Sequence, residues 1–319
     1  MFKGRGSAPS GRPLTGHELE YWMALSTVDL HTHSTASDGT YSPTDLVRLA
    51  REVGLSAIAL TDHDTIGGID EARRAAREHG IDFLPGIEIS CEYPSPGTLH
   101  LLGYGINPAS EVLRDLTHTL LAGRDNRNPK IISRLQELGV SITMAEVEAE
   151  SGGTVIGRPH IAAILMRKGY VSSIKQAFDK YLAPGGQAYF DKERLSARQA
   201  IGMVRQSGGI AVLAHPYQLR ATNLAQLEQT VKNLVDLGLE GLEVLHSDHD
   251  AARVEQFTAL ADRFGLLKTG GSDFHGTRKT NIQLGQASGR PIPRAYFDAL
   301  VDRLSHSHSW SANVAAAGA

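Results

Sequence analysis

The sequence predicts an α/β fold, a barrel-like array of about seven strand–helix units with a helical subdomain inserted into it. Three observations lead there. Short apolar runs alternate with amphipathic stretches from Val28 onward, histidines and carboxylates recur at the ends of those runs, and the rhythm breaks for about ninety residues after Asn107-Pro108. The 319 residues suit one large domain with an appendage, and 41% apolar with 21% charged residues excludes wholesale disorder and coiled coil. Thirty-two Lys and Arg against 35 Asp and Glu argue against a basic surface that coats DNA or RNA. The lone Cys91 cannot form an internal disulfide, the start lacks a signal-peptide core, and no apolar run approaches the ~18 residues that span a bilayer. A cytoplasmic protein without a membrane partner is the expectation.

The elements follow in order. Strand one ends at Val28-Asp29-Leu30. Ser42-Pro43 then supplies an N-cap and a proline at the first helical position, and Leu46, Leu49, Ala50 and Val53 give a helical stripe stopped by Gly54. Ala57 to Leu60 is strand two, Ile69 to His79 the next helix with Gly80 as its cap, Phe83 to Ile89 strand three and Leu99 to Tyr104 strand four. A parallel sheet is expected from this repeat. Residues 109–198 show mainly helical patterns, such as Ile131, Ile132, Leu135 and Leu138 before Gly139, and read as an inserted helical subdomain. That segment carries 13 Lys or Arg against 10 Asp or Glu, a charge of +3 where the rest of the chain has −6. The barrel, residues 25–108 and 199–305, resumes with a helix over Ala197 to Gln206. Strands over Ile210 to Leu213 and Leu242 to Leu245 follow, then a strand ending near Lys268 and a helix over Arg294 to Leu304. Residues 1–24 and 306–319 read as disordered tails.

Fourteen histidines are present, and nine residues fall at the carboxyl-end rim of the expected barrel. His31 and His33 leave strand one, Asp38 follows in Ser37-Asp38-Gly39, His63 closes strand two, and Glu88 ends strand three. His100 lies on strand four, His215 follows in Ala214-His215-Pro216, and Asp273 and His275 form a second alternating pair. Any one of these alone reads as a surface or hydrogen-bonded histidine or acid; the repeated choice of strand ends is what points to metal. His17, His79, His118, His306 and His308 have no such placement and read as solvated. Nine ligands exceed one ion and suit two or three divalent ions, and mixed imidazole and carboxylate ligation suits Mn, Zn or Fe(II) better than Ca. Such a rim attracts anions, phosphate above all.

Asp29-Leu30-His31-Thr32-His33, Ser37-Asp38-Gly39, Thr61-Asp62-His63-Asp64, Glu88, Ala214-His215-Pro216 and Ser272-Asp273-Phe274-His275 together resemble the polymerase and histidinol phosphatase (PHP) superfamily of phosphoesterases, from about Thr27 to Leu304. The resemblance implies a distorted (βα)7 barrel with a trinuclear metal site. His31, His33, Glu88 and Asp273 would bind the first ion, Glu88, His100 and His215 the second, and Asp38, His63 and His275 the third. Within the superfamily, the insert with Gly157-Arg158-Pro159-His160 is similar to phosphatases that remove the 3′-phosphate of nucleoside 3′,5′-bisphosphates, whose close relatives trim short RNA from its 5′ end. This implies that Arg158 and His160 grip a second phosphate. Arg124, Arg127 and Lys130 add a basic run, with Arg127 a further candidate for the substrate; a solvated helix end is its bland reading. Gly152 and Gly157 have P-loop spacing, but Arg158-Pro159 stands where Lys-Ser/Thr belongs, so a P-loop is excluded.

The expected reaction is attack by hydroxide, formed as ions lower the pKa of water from about 15.7 toward about 7, in line with the departing ribose oxygen. His249, which matches the family pattern, is the expected proton donor with a metal-bound water as the alternative, and His246 stands where the family pattern has a different polar residue. Histidinol-phosphate phosphatase and a non-catalytic metal-binding module are the rival readings. The substrate, phosphorylated nucleotide or short RNA, the native metal and the oligomeric state are open at this stage.

Overall fold

The computed structural model describes residues 27–306 except 95, 152–154 and 192–193, so both expected tails, apart from His306, lie outside the described residues. Seven strands follow the chain in sheet order: β1 (Val28–Asp29), β2 (Ala57–Leu60), β3 (Asp82–Cys91), β4 (Leu99–Tyr104), β5 (Ile210–Leu213), β6 (Gly241–His246) and β7 (Leu267–Gly271). β7 returns beside β1, where Leu30 N–H reaches Gly270 and Asp273 N–H donates to His31, so the sheet is nearly closed into a barrel. Gly271 permits this approach, because a Cβ there would lie 2.0 Å from that of His31.

The sheet departs from the parallel expectation at one strand. β4 pairs antiparallel with both β3 and β5, while the other neighbours are parallel. The physical reason is the short link from Cys91 to Leu99, which cannot hold a crossover helix and therefore returns as a hairpin. β3 also runs two residues beyond Ile89, which leaves Glu88 inside the strand.

Around the barrel lie α1 (Pro43–Glu52) and α2 (Ile69–His79), with the caps expected: Ser42 Oγ accepts from Asp45 N–H, and Gly80 adopts φ 63°. Between β4 and β5 come α3 (Glu111–Glu137), α4 (Met144–Ser151), α5 (Arg158–Arg167), and α6 (Ile174–Ala177), which runs into a π-turn over Phe178–Leu182. The pattern at Ile131 to Leu138 belongs to the second half of the 27-residue α3. Leu113, Leu116 and Leu120 of its first half join the barrel core. Ile131, Ile132 and Leu135 join a separate core with Val147, Ile161, Leu165 and Leu182. One rigid rod thus carries the insert onto the barrel. The ring is completed by α7 (Ala197–Gln206), α8 (Leu224–Asp236), α9 (Ala251–Phe264) and α10 (Arg294–Ser305), with the exposed His306 capping α10. Among the described residues no helix is long and apolar enough to cross a membrane.

Candidate metal centre

The carboxyl ends of the strands deliver their polar side chains to one place. His31 and His33 follow β1 and alternate, His63 follows β2, and Glu88 of β3 and His100 of β4, diagonal neighbours in the register, meet through their side chains. His215 follows β5, His246 ends β6, and Asp273 and His275 follow β7. Two of these residues have positive φ, 25° at His215 and 58° at Asp273, a conformation that costs ~1–3 kcal/mol and persists only where the surroundings impose it.

Glu88 is the hub. Its Oε2 lies 3.2 Å from His31 Nε2, 3.3 Å from His33 Nε2 and 2.9 Å from His63 Nδ1, and its Oε1 lies 2.7 Å from His100 Nδ1 and 2.9 Å from His215 Nε2. Asp273 Oδ1 stands 3.2 Å from His33 Nε2, and His275 Nε2 stands 3.3 Å from Asp38 Oδ1. Four donor groups have ligand atoms within 4.8 Å of one another: His33, Asp38, His63 and His275; His31, Glu88 and His215; His31, His246 and Asp273; and His63, Glu88 and His100. All nine residues expected from the sequence fall in these groups. His33 stands with Asp38, His63 and His275 as well as facing Glu88 and Asp273, and His246 joins the set.

Electrostatics and hydrogen bonding fit these residues to cations. Burial alone would raise the Glu88 carboxyl, but the rings of His63, His31 and His100 outweigh it and hold the group well below the usual carboxylate range. Burial, then His275 and His63, push His33 well down, so it presents a neutral ring. His31 Nε2, both nitrogens of His33, His63 Nδ1, Glu88 Oε2 and His215 Nδ1 are buried without a hydrogen-bond partner. At ~1–3 kcal/mol for each such atom, an arrangement of this kind is sustained by a ligand that takes lone pairs, as a divalent cation does.

Carboxylates behind the ring hold it in place. Glu243, fully buried on β6, accepts from His31 Nδ1 at 3.0 Å and from His215 N–H at 2.7 Å. Asp62 accepts from Ser34 and Ser37, and Asp29 from the backbone of His31, Ser272 and Gly285. Asp29 and Asp62 stand within the motifs that carry the family resemblance, whereas Glu243 has no role assigned from the sequence. The available signal was a lone acid inside an apolar strand, as in Leu242-Glu243-Val244.

A cavity of about 440 Å3 opens beside the centre. Asp38, His63 and His100 line one part of it, and Arg124, Arg127, Arg158 and Arg194 line the rest with Tyr93, Phe178 and Tyr189. Arg124 is tied to Asp64 through Nη2 at 2.5 Å, which anchors α3 beside His63. Burial and the neighbouring Arg124, Arg158 and Arg194 push Arg127 down to about 9, so its charge is poorly compensated. Arg158 donates to Leu182 C=O at 2.9 Å and lies over the Tyr189 ring. Arg194 and the three aromatic residues had no periodic or motif signal in the sequence.

His160 and His249 are not among the residues lining this cavity. His160 is buried and its Nδ1 accepts from the N–H of Gly157, the N-cap of α5, so the ring closes that helix end. His249 is fully buried, its Nδ1 contacts Val244 C=O at 3.1 Å and its ring packs on Phe257. Burial, followed by His246, pushes it down to about 4, which leaves no second ring proton at neutral pH.

Residues 29–240 match the PHP domain family. The chain is 32% identical over 277 residues to the 3′,5′-nucleoside bisphosphate phosphatase of Chromobacterium violaceum, covering 84% of this chain and 93% of that protein. It is 35% identical over 247 residues to a 5′-3′ exoribonuclease of Haemophilus influenzae, covering 77% and 89% respectively. A solved structure from Bifidobacterium adolescentis, described as a metal-dependent phosphoesterase, superposes with a TM-score of 0.77 at 32% identity, covering 86% of this chain and 96% of that one. With this match over most of its length and a ring of metal-binding side chains at the barrel mouth, the chain belongs to the PHP domain family of metal-dependent phosphoesterases.

Proposed function

We propose that the protein hydrolyses the 3′-phosphate ester of nucleoside 3′,5′-bisphosphates. The observation that carries this reading is the single cavity shared by Asp38, His63 and His100 at the metal centre and by four arginines on its other walls, a place for two phosphates of one small molecule. His31, His33, Glu88 and Asp273 would hold one divalent ion, Glu88, His100 and His215 a second, and Asp38, His63 and His275 a third, with Mn, Zn or Fe as the metal. Such ions supply an activated water nucleophile and offset charge on the phosphoryl oxygens.

The chain's own residues orient and select. Glu88 bridges two ligand sets through its separate oxygens, which fixes their spacing. Arg158 and Arg127 would receive the phosphate that is not cleaved, and Tyr93, Phe178 and Tyr189 offer apolar walls to ribose and base. A histidinol phosphate amine has poor company here, since among the described residues on the arginine side of the wall Asp191 is the one carboxylate, and it is paired with Arg194. Trimming of short RNA from a 5′-phosphorylated end is the second reading. It is favoured by the same arginines, which would seat the 5′-phosphate, and by the name of the Haemophilus influenzae relative.

Phosphate release from adenosine 3′,5′-bisphosphate and from histidinol phosphate, and nucleotide release from a 5′-phosphorylated oligoribonucleotide, each with Mn2+ present, test the assignment. The bisphosphate is expected to be cleaved fastest. Preferred trimming of the oligonucleotide would transfer the assignment to the second reading, and no turnover of any substrate would favour the non-catalytic module.

A further inference from the structure

Asp273 divides its carboxylate between two tasks. Oδ1 faces His31 Nε2 at 3.6 Å and His33 Nε2 at 3.2 Å, while Oδ2 takes Lys279 Nζ at 2.5 Å. His246 completes the surroundings of Oδ2. Its Nε2 is buried, makes no hydrogen bond and stands 3.5 Å from that oxygen. With φ at 58°, Asp273 is a residue that needs its neighbours to keep it in place.

His246 has two roles open to it. Its nitrogen, with His31 and Asp273, falls in a donor group close enough to share an ion, which would make it a tenth ligand. Alternatively, it carries an N–H that serves Asp273. The tautomer separates these roles. Asp248 N–H donates to His246 Nδ1 at 3.1 Å, so Nδ1 presents a lone pair and the proton of the neutral ring sits on Nε2. A ring nitrogen that keeps its proton cannot ligate a cation.

We infer that His246 is a positioning residue and not a ligand: its Nε2–H closes on Asp273 Oδ2 and, with Lys279, fixes Asp273 as a one-oxygen ligand. The Lys279 ammonium occupies the oxygen that an ion would otherwise chelate, and the imidazole holds the carboxylate plane from the other side. This inference rests on the reading of the ring as a metal centre.

The test is a Zn2+ titration of the full chain, with bound ions counted by elemental analysis, for the parent, His246→Gln and His246→Leu. Gln places an amide N–H where Nε2 stands and is expected to keep the parent's ion count and its affinity within about threefold. Leu is expected to keep the ion count at saturating Zn2+ while one ion binds roughly 10–100-fold more weakly, as when the outer partner of a ligand is lost. Loss of one equivalent at saturation in either variant would make His246 a ligand and overturn the inference, as would parent-like affinity in His246→Leu. If circular dichroism shows that the leucine variant does not fold, His246→Asn, whose amide is too short to reach Asp273, takes its place with the same expectations. A parent that binds no Zn2+ overturns the metal centre itself, and this inference with it.

Discussion

His31 Nδ1 and Glu243 Oε1 meet at 3.0 Å although 212 positions separate the two residues in the chain. The contact fixes the orientation of the His31 ring and leaves Nε2, which faces Glu88 and Asp273, as the nitrogen that a cation would take. The other oxygen of Glu243 holds the backbone N–H of His215 at 2.7 Å, so one buried carboxylate orients the side chain of His31 and the strained backbone of His215.

Glu243→Ala is therefore expected to weaken metal binding roughly 10–100-fold, because two ligands lose their orienting partner together. A metal titration followed by competition with a chelator measures it. Glu243→Gln should recover part of the loss, since its amide oxygen still accepts one N–H.

Removal of metal should lower thermal stability. An ion present at about 100 times its Kd contributes ~2.7 kcal/mol, and in a chain of 319 residues that corresponds to a fall in Tm of roughly 4 °C for each ion lost. Melting curves with and without a chelator read the shift, and an unchanged Tm would speak against ions bound within the fold.

Arg158→Ala should raise KM for a nucleoside 3′,5′-bisphosphate by roughly 10–100-fold, the equivalent of a lost charge-assisted hydrogen bond, with kcat nearly unchanged. A substrate with a single phosphate should show less than about a twofold change. Equal losses on both substrates would remove Arg158 from recognition of the second phosphate.

His249→Asn should retain turnover within about tenfold, against the 10²- to 10⁴-fold loss expected of a general acid. The reason is position: the ring is fully buried and absent from the cavity wall. A pH–rate profile of the variant that loses its alkaline limb would restore the acid role expected from the sequence.

His160 makes the chelated protein acid-sensitive. Burial is the first cause that pushes it from 6.5 down to about 4, so the unfolded chain takes up a proton at a pH where the folded ring resists it. Its contribution is complete above pH 6.5 and is lost as pH falls toward 4, a change of about 3 kcal/mol at most. The Tm of His160→Gln, which can still cap Gly157, should fall less steeply than that of the parent between pH 6.5 and 4.5.

Much of this site can be read in the primary sequence because its chemistry is local. His31-Thr32-His33 and Asp273-Phe274-His275 announce themselves by alternation after an apolar run, and alternation at a strand end sends two side chains to the same side. Helix ends were equally legible at Ser42-Pro43 and Gly80, where a cap depends on the residues beside it. The direction of β4 ran against the parallel expectation, although the stretch between strands three and four, too short for a crossover helix, carried the sign of a hairpin. Lys279 and Arg194 also stayed silent, each being a single charge without a pattern, and the lone acid Glu243 in an apolar run gave no partner.

The chain by itself determined which donors this protein possesses and that strand ends would carry them, because residue type and the two-residue period of a strand are properties of neighbours. Tertiary structure alone decided that Glu88 faces His31, His33, His63, His100 and His215 at once, and that Lys279 and His246 flank the far oxygen of Asp273. Those contacts join strands whose separation is set by barrel closure at Gly271 and by the packing of α3 across both cores, and long-range distances of that kind are written in no local stretch of sequence.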